Sequence, residues 1–147
     1  MIGTLLKSLF APAPTELPES DARIALAALL VRIARADGDY AGVEIDQIRQ
    51  ILGKRYGLDA GATGDLLIVA ENLERDAPDT VRFTRAIKDA VPHEERVGIV
   101  EAAWSIVLAD GERSKEENAL MRLIPSLLGI NDTESNLARR RAEAGLG

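Results

Sequence analysis

Apolar residues recur every three or four positions along most of the chain, and no segment shows the sustained apolar–polar alternation of a half-buried strand. Glycine, proline and small polar residues divide this pattern into stretches of helical length. Helices are predicted over residues 20–37, 41–56, 62–76, 80–91, 92–110 and 114–128, and from 132 or 133 into a fraying end at 139–141. The sequence therefore predicts an all-α fold, a compact bundle of about seven helices with short connections.

The segment before the first long helix has a different composition. Prolines at positions 12, 14 and 18 predict an extended linker, preceded by a short helix over residues 1–10. We therefore divide the chain into an N-terminal short helix with a proline-rich linker, residues 1–19, and a helical domain, residues 20–147. The short helix has an apolar side formed by Leu5, Leu6, Leu9 and Phe10. We expect it to pack on the domain, and the alternative is a weak contact with a membrane or a partner.

Two segments of the chain are similar to each other at one constant offset and without a gap. Residues 33–51 contain Ala-Asp-Gly-Asp-x4-Glu, and residues 106–124 contain Ala-Asp-Gly-Glu-x4-Glu. The acids of the first copy are Asp37, Asp39 and Glu44, and those of the second copy are Asp110, Glu112 and Glu117. Two copies are too few for a solenoid. They predict a pseudo-two-fold bundle built on two repeated helical hairpins.

Helical spacing indicates where these acids point. Asp37 continues the apolar stripe of its helix, and Glu44 begins the apolar stripe of the next one. If the two helices pair through their apolar faces, the two carboxylates converge at the hairpin junction, and Asp110 and Glu117 do the same in the second copy. Carboxylates so close to a core need partners. Candidates are backbone N–H groups, arginines such as Arg35, Arg49 and Arg122, or a metal ion.

Two interpretations of the repeated acids remain open, and they are compatible. In the first, Gly38 and Gly111 end helices in the left-handed conformation, and Ser114 with Glu117 forms a capping box. In the second, each set of three acids binds Ca²⁺ or Mg²⁺ weakly, with water and carbonyl oxygens completing the coordination. The segment is not an EF-hand, because Ile33 and Arg35 stand where the first two EF-hand ligands would be.

The twice-repeated Ala-Asp-Gly-x5-Glu, in a short acidic helical chain, resembles the TerB-like family, named for tellurite resistance protein B. Similar modules precede the J-domains of DjlA-type co-chaperones, and the resemblance covers about residues 20–140. It implies a compact pseudo-two-fold domain, often of seven helices, without established enzymatic activity. The acids suspected of chelating metal in the family fall on Asp37, Asp39, Glu44, Asp110, Glu112 and Glu117. The chain lacks the His-Pro-Asp tripeptide of a J-domain, so the resemblance does not extend to chaperone activation.

Composition removes several classes of function. The chain has no cysteine, one histidine and 3% aromatic residues, which argues against thiolate and multi-histidine metal sites, most catalytic triads and base-stacking surfaces. The net charge of −6 disfavours nucleic acid as a partner. Lys7 interrupts the short apolar run at the start, so neither a secretory signal nor a bilayer span is predicted, and a cytoplasmic location is expected.

The remaining residues with chemical potential have ordinary interpretations. His93 is expected to be exposed in a first helical turn, and Trp104 is expected in the core. Asp65, Glu71, Glu74 and Asp76 are interpreted as a charged helix face, and residues 139–141 as a solvated end. We therefore expect a non-enzymatic domain that binds a divalent cation, in a stress or tellurite response. The alternative is an adaptor for an unidentified protein or a membrane surface, in which the acids are structural caps.

Overall fold

The computed structural model describes residues 19–36, 38, 40, 42–77, 79–109 and 115–146. These residues form seven helices and no strand, which confirms the all-α prediction. The predicted N-terminal helix and linker, up to residue 18, lie outside the described residues. The helices are α1 (Glu19–Arg35), α2 (Gly42–Tyr56), α3 (Ala60–Asp76), α4 (Val81–Ala90), α5 (His93–Leu108), α6 (Lys115–Leu127) and α7 (Asp132–Leu146).

Helix α1 is the central helix of the bundle and contacts α2, α3, α4, α5 and α6. Its apolar residues cover all sides of the helix, because every residue from Ile24 to Val31 is buried, as are Ile33 and Ala34. A helix that is apolar all round belongs in the interior of a bundle. The stripe of Leu26, Leu30 and Ile33 seen in the sequence is therefore only part of its buried surface.

Five of the described helices contact α1, and two of the helix pairs in the bundle are those of the predicted hairpins. Helix α2 packs against α1, and α6 packs against α5, as the two predicted hairpins require. Helix α3 also packs on α1, and α7 packs extensively on α5. Helix α4 packs mainly on α1 and also contacts α5 and α6. The hairpins are thus observed, and the pseudo-two-fold relation between them stays a prediction.

Helices α2 and α6 end in the same way. Gly57 and Gly129 have positive φ angles of 62° and 75°. The next residue in each case donates its backbone N–H to the carbonyl five residues back, Leu58 to Gly53 and Ile130 to Pro125. This is the Schellman motif, which requires a residue without a Cβ at the left-handed position. Gly38, with φ 83°, follows α1 and confirms the predicted stop.

Helix α3 begins two residues earlier than the sequence predicted. It begins at Ala60 and not at residue 62, because the Asp59 carboxylate accepts a hydrogen bond from the backbone N–H of Ala62 at 2.8 Å. Asp59 also caps through its backbone, since its carbonyl oxygen accepts hydrogen bonds from the Thr63 hydroxyl and the Thr63 N–H. Such a cap satisfies donors that the first helical turn would otherwise leave unpaired.

Helix α7 begins with a capping box that the sequence analysis did not identify. Asn131 Oδ1 accepts from the N–H of Glu134, and Glu134 Oε1 accepts from the N–H of Asn131. Glu134 Oε2 also lies 2.7 Å from Nε2 of His93, which is exposed as predicted. The hydrogen bond with His93, and then that from the Asn131 backbone, lower the pKa of Glu134.

The end of α7 does not fray as predicted, although Arg140 and Arg141 are exposed to solvent, as expected. The helix continues to Leu146, and two of its arginines form ion pairs. Arg139 pairs with Glu143 one turn later, and Arg141 Nε lies 2.6 Å from the Glu101 carboxylate on α5. None of the described helices has the length and apolar character that crossing a bilayer requires.

Candidate functional site

Glu44 and Glu117, the glutamates of the two acidic repeats, occupy the same position in their helices. Each is the third residue of its helix, α2 or α6, and each is only 1% exposed. The residues just before them, Val43 and Glu116, are exposed. Both carboxylates therefore point into the bundle, as the stripe argument predicted.

Each glutamate continues directly into the core. Ile48 and Leu52 follow Glu44 at successive turns, and all three residues are buried. Helical spacing in the sequence also allows Ile51 on this stripe, but Ile51 is only partly buried, because the buried residues follow one another at intervals of four. In the second copy Met121 and Ile124 follow Glu117 at helical spacing, and both are buried.

The starts of α2 and α6 favour these carboxylates electrostatically. The first turn of a helix has backbone N–H groups without helical acceptors and a partial positive charge. A glutamate at the third position is also the one that reaches back in a capping box. Both Glu44 and Glu117 make polar or electrostatic interactions in the structure. Their burial is thus compatible with the capping interpretation as well as with a role in binding.

The other four predicted ligands, Asp37, Asp39, Asp110 and Glu112, lie outside the described residues, as do Gly111 and Ser114. Within the part of the chain that the structure describes, no three Asp, Glu or His side chains form a group able to hold a metal ion. The described residues therefore bring together neither complete set of three acids, and both cation sites stay predictions.

A polar cluster next to the first junction was not identified from the sequence. The Glu74 carboxylate, on α3, accepts from Arg32 Nε at 3.1 Å and from Arg35 Nη1 at 2.6 Å, both on α1. Glu71, one turn earlier, accepts from the Tyr40 hydroxyl at 2.8 Å. The prediction of an ordinary charged face for Glu71 and Glu74 is therefore wrong, since both bind groups from another part of the chain.

Arg32 and Arg35 also bind the backbone and the aromatic rings around them. Nη2 of Arg32 donates to the carbonyl oxygens of Glu74 and Ala77, which lie at the end of α3 and just beyond it. The Glu74 carbonyl also accepts from the Ala77 N–H at 3.3 Å, so Arg32 adds a second donor at this helix end. The guanidinium carbon of Arg35 lies 4.8 Å from the centroid of the Tyr40 ring, within the range of a cation–π contact.

Tyr40 fixes the end of the first acidic junction to α3. It directly follows Asp39 in the sequence, and its hydroxyl donates to the Glu71 carboxylate. Burial of the phenol, and then the hydrogen bond to Glu71 and its negative charge, raise the pKa of Tyr40 well above its ordinary value, while Arg35 and Arg49 act in the opposite direction. The neutral hydroxyl is thus the stable form, and it donates to the carboxylate.

A signal for this cluster was present in the sequence. Arg32 and Arg35 are three residues apart, and so are Glu71 and Glu74, which places each pair on one helix face. Two basic and two acidic residues at the same spacing indicate complementary faces of α1 and α3. That pattern could have predicted their packing, whereas the role of Tyr40 depends on the path of the junction.

The fold and the buried glutamates define an all-helical protein with two acidic helix junctions. The family model described as tellurite resistance protein TerB matches residues 23–140, a range that includes both junctions. The chain therefore belongs to the TerB family, and the resemblance inferred from the repeated motif is confirmed. Comparisons with curated proteins and with solved structures gave no match.

Proposed function

We propose that this TerB domain binds a divalent cation, Ca²⁺ or Mg²⁺, without catalysing a reaction. The ligands would come from the two acidic junctions, Asp37, Asp39 and Glu44 in the first and Asp110, Glu112 and Glu117 in the second. Membership of the family supports the domain type. The family's name supports a role in a stress or tellurite response, and the sequence prediction of neither a secretory signal nor a bilayer span supports a cytoplasmic location.

The observation that carries the proposal is the shared burial of Glu44 and Glu117. Each is 1% exposed at the third residue of a helix that follows an acidic junction. A buried side chain has already lost its rotational freedom, so binding a cation would not require further ordering of that ligand. Ca²⁺ accepts six to eight oxygen ligands in flexible geometry, so backbone carbonyls and water would complete each site.

Calorimetric titration of the protein with Ca²⁺ and Mg²⁺, after treatment with EDTA, tests the proposal. We expect saturable heat with a dissociation constant of roughly 0.1–1 mM, the range of weak calcium modules. Glu44→Gln and Glu117→Gln should each weaken binding at the site of their own junction about tenfold, because a charged ligand is lost at nearly constant volume. Glu116→Gln is the matched control, since Glu116 is an exposed neighbour with the same charge.

The outcomes of this titration separate binding from capping. Unchanged cation affinity in both glutamine variants, together with lowered melting temperatures, would assign the glutamates to capping alone. An absence of heat at millimolar Ca²⁺ and Mg²⁺ would reject the cation proposal. Asp39→Asn provides a second test, because it changes a proposed ligand without altering a buried residue of the described helices.

The adaptor function remains the second candidate, and exposed apolar side chains favour it. Ile68 on α3 is 58% exposed, and Leu123 on α6 and Leu137 on α7 are each 46% exposed. A pull-down with the full chain and with a Leu5→Asp, Leu9→Asp variant would test the predicted N-terminal contact. A protein or lipid vesicle retained by both baits equally would exclude that segment as the contact.

A further inference from the structure

A cleft of about 440 Å³ lies over α5, between α6 and α7. Trp104 of α5 is among its lining residues, together with Asn118 and Arg122 of α6 and Asn136 and Arg139 of α7. Its volume is within the range of small-molecule sites. The two helices that border it both pack on α5, so α5 holds them in place around the cleft.

Arg139 is held in a defined orientation at this cleft. Its guanidinium carbon lies 5.3 Å from the centroid of the Trp104 ring, and its Nε donates to Glu143 at 2.9 Å. Arginine has five N–H donors, and only one belongs to Nε. The contacts with Glu143 and the Trp104 ring therefore restrain the guanidinium and leave its Nη donors for a planar, bidentate acceptor.

The base of the cleft is polar as well as aromatic. The indole Nε1 of Trp104 donates to Ser135 Oγ at 3.2 Å, and both residues are more than nine-tenths buried. Since the Ser135 hydroxyl accepts this bond, its own proton can be donated elsewhere. Ser135 also lines the cleft, so it adds a donor next to those of the arginines and the two asparagine amides.

We propose that this cleft binds a small anion that carries a carboxylate or phosphate group. Arg122 and Arg139 would contact the charged group from opposite walls, with Asn118, Asn136 and Ser135 as further donors. Asp132 also lines the cleft, and its carboxylate would repel an anion placed beside it. The site therefore favours anions that donate a hydrogen bond to Asp132 or bind away from it. The proposal is independent of the cation sites, which belong to other residues.

Fluorescence of Trp104, the single tryptophan of the chain, provides a direct measurement. The probes are succinate and inorganic phosphate, each titrated into the full chain in the presence of EDTA so that cation binding does not contribute. We expect a saturable change for at least one probe, with millimolar affinity, and the stronger probe identifies the preferred group. The neutral diamide of succinate should produce no saturable change.

Arg122→Gln is the main variant, because Arg122 is exposed and its replacement leaves the core intact. It should weaken the stronger probe about tenfold, as expected for the loss of a charge-assisted hydrogen bond. Arg140→Gln is the matched control, since Arg140 is exposed, adjacent to Arg139 and not among the residues that line the cleft. It should change the affinity less than about twofold.

Three results would overturn the proposal. The first is the absence of a saturable change with either anion up to about 50 mM, a concentration well above the expected millimolar dissociation constant. The second is an equal response to the neutral diamide. The third is equal weakening of binding by Arg122→Gln and Arg140→Gln. The last result would show that the probes respond to net charge and not to the cleft. Circular dichroism of each variant checks that helix content is retained, and Arg139→Gln provides an independent second variant at the cleft.

Discussion

Glu74 is the residue whose replacement best tests the packing of α1 against α3. We consider Glu74→Gln, which keeps the volume of the side chain and removes its charge. In the native protein this carboxylate accepts from both Arg32 and Arg35, and the three side chains are 12%, 16% and 26% exposed, respectively. The variant would leave two partly buried guanidinium groups without their shared counter-ion.

The expected cost lies between two limits. Exposed ion pairs contribute about 0–1 kcal/mol, and removing one partner of a fully buried pair costs about 3–5 kcal/mol. Because these side chains retain some exposure, and because Arg32 also donates to two backbone carbonyls, we expect a loss of about 2 kcal/mol in the free energy of unfolding. For a chain of this length that corresponds to a fall of about 4–8 °C in melting temperature.

Urea unfolding followed by circular dichroism measures this loss, provided that the slope with denaturant is unchanged. Asp76→Asn is the matched control, because Asp76 is an exposed acid on the same helix, and it should change stability by less than about 0.5 kcal/mol. A double-mutant cycle with Arg35→Gln should give a coupling of at least about 1 kcal/mol. A Glu74→Gln variant no less stable than Asp76→Asn would refute the reasoning.

Three further predictions concern stability. Because the pKa of Tyr40 is raised, its contribution to stability is complete below a pH of about 10 and is lost as the pH rises further. Tyr40→Phe should therefore reduce the fall in melting temperature at alkaline pH. An unchanged slope of melting temperature against pH would contradict this. Trp104→Phe removes buried volume and the hydrogen bond to Ser135, so urea unfolding should give a free energy of unfolding lower by about 2 kcal/mol. A loss below about 0.5 kcal/mol would be inconsistent with this prediction. Gly129→Ala should destabilise the protein by about 1 kcal/mol, because φ at Gly129 is positive. Gly64→Ala, in open space within α3, should instead stabilise it by about 0.5–1 kcal/mol. Calorimetry that gives the same sign for both changes in stability would count against the Schellman argument.

The helices were predictable because their signals are local. Gly57 and Gly129 end helices through their own backbone freedom, and the apolar spacing around them shows where the helices run. The inward orientation of Glu44 and Glu117 followed from the same spacing. The start of α3 was missed by two residues because Asp59 caps through its side chain, and no hydrophobic period indicates a cap.

The contacts between distant residues were harder to predict. The ion pairs of Arg32 and Arg35 with Glu74 span about forty residues, so they depend on which face of α3 meets α1. An acidic helix face looks the same in sequence whether it meets water or arginine. Tyr40 illustrates the same limit, since its hydrogen bond depends on the path of the chain between α1 and α2.

The central position of α1 has a consequence for how the protein is made. Helix α1 precedes, in the direction of synthesis, every other helix that it contacts. A growing chain that has just released α1 from the ribosome therefore carries a long apolar segment before any of the described helices that bury it has been made. That surface is covered mainly by α3 and α4, so until both have been translated the nascent chain exposes an apolar segment of the kind that promotes aggregation or chaperone binding.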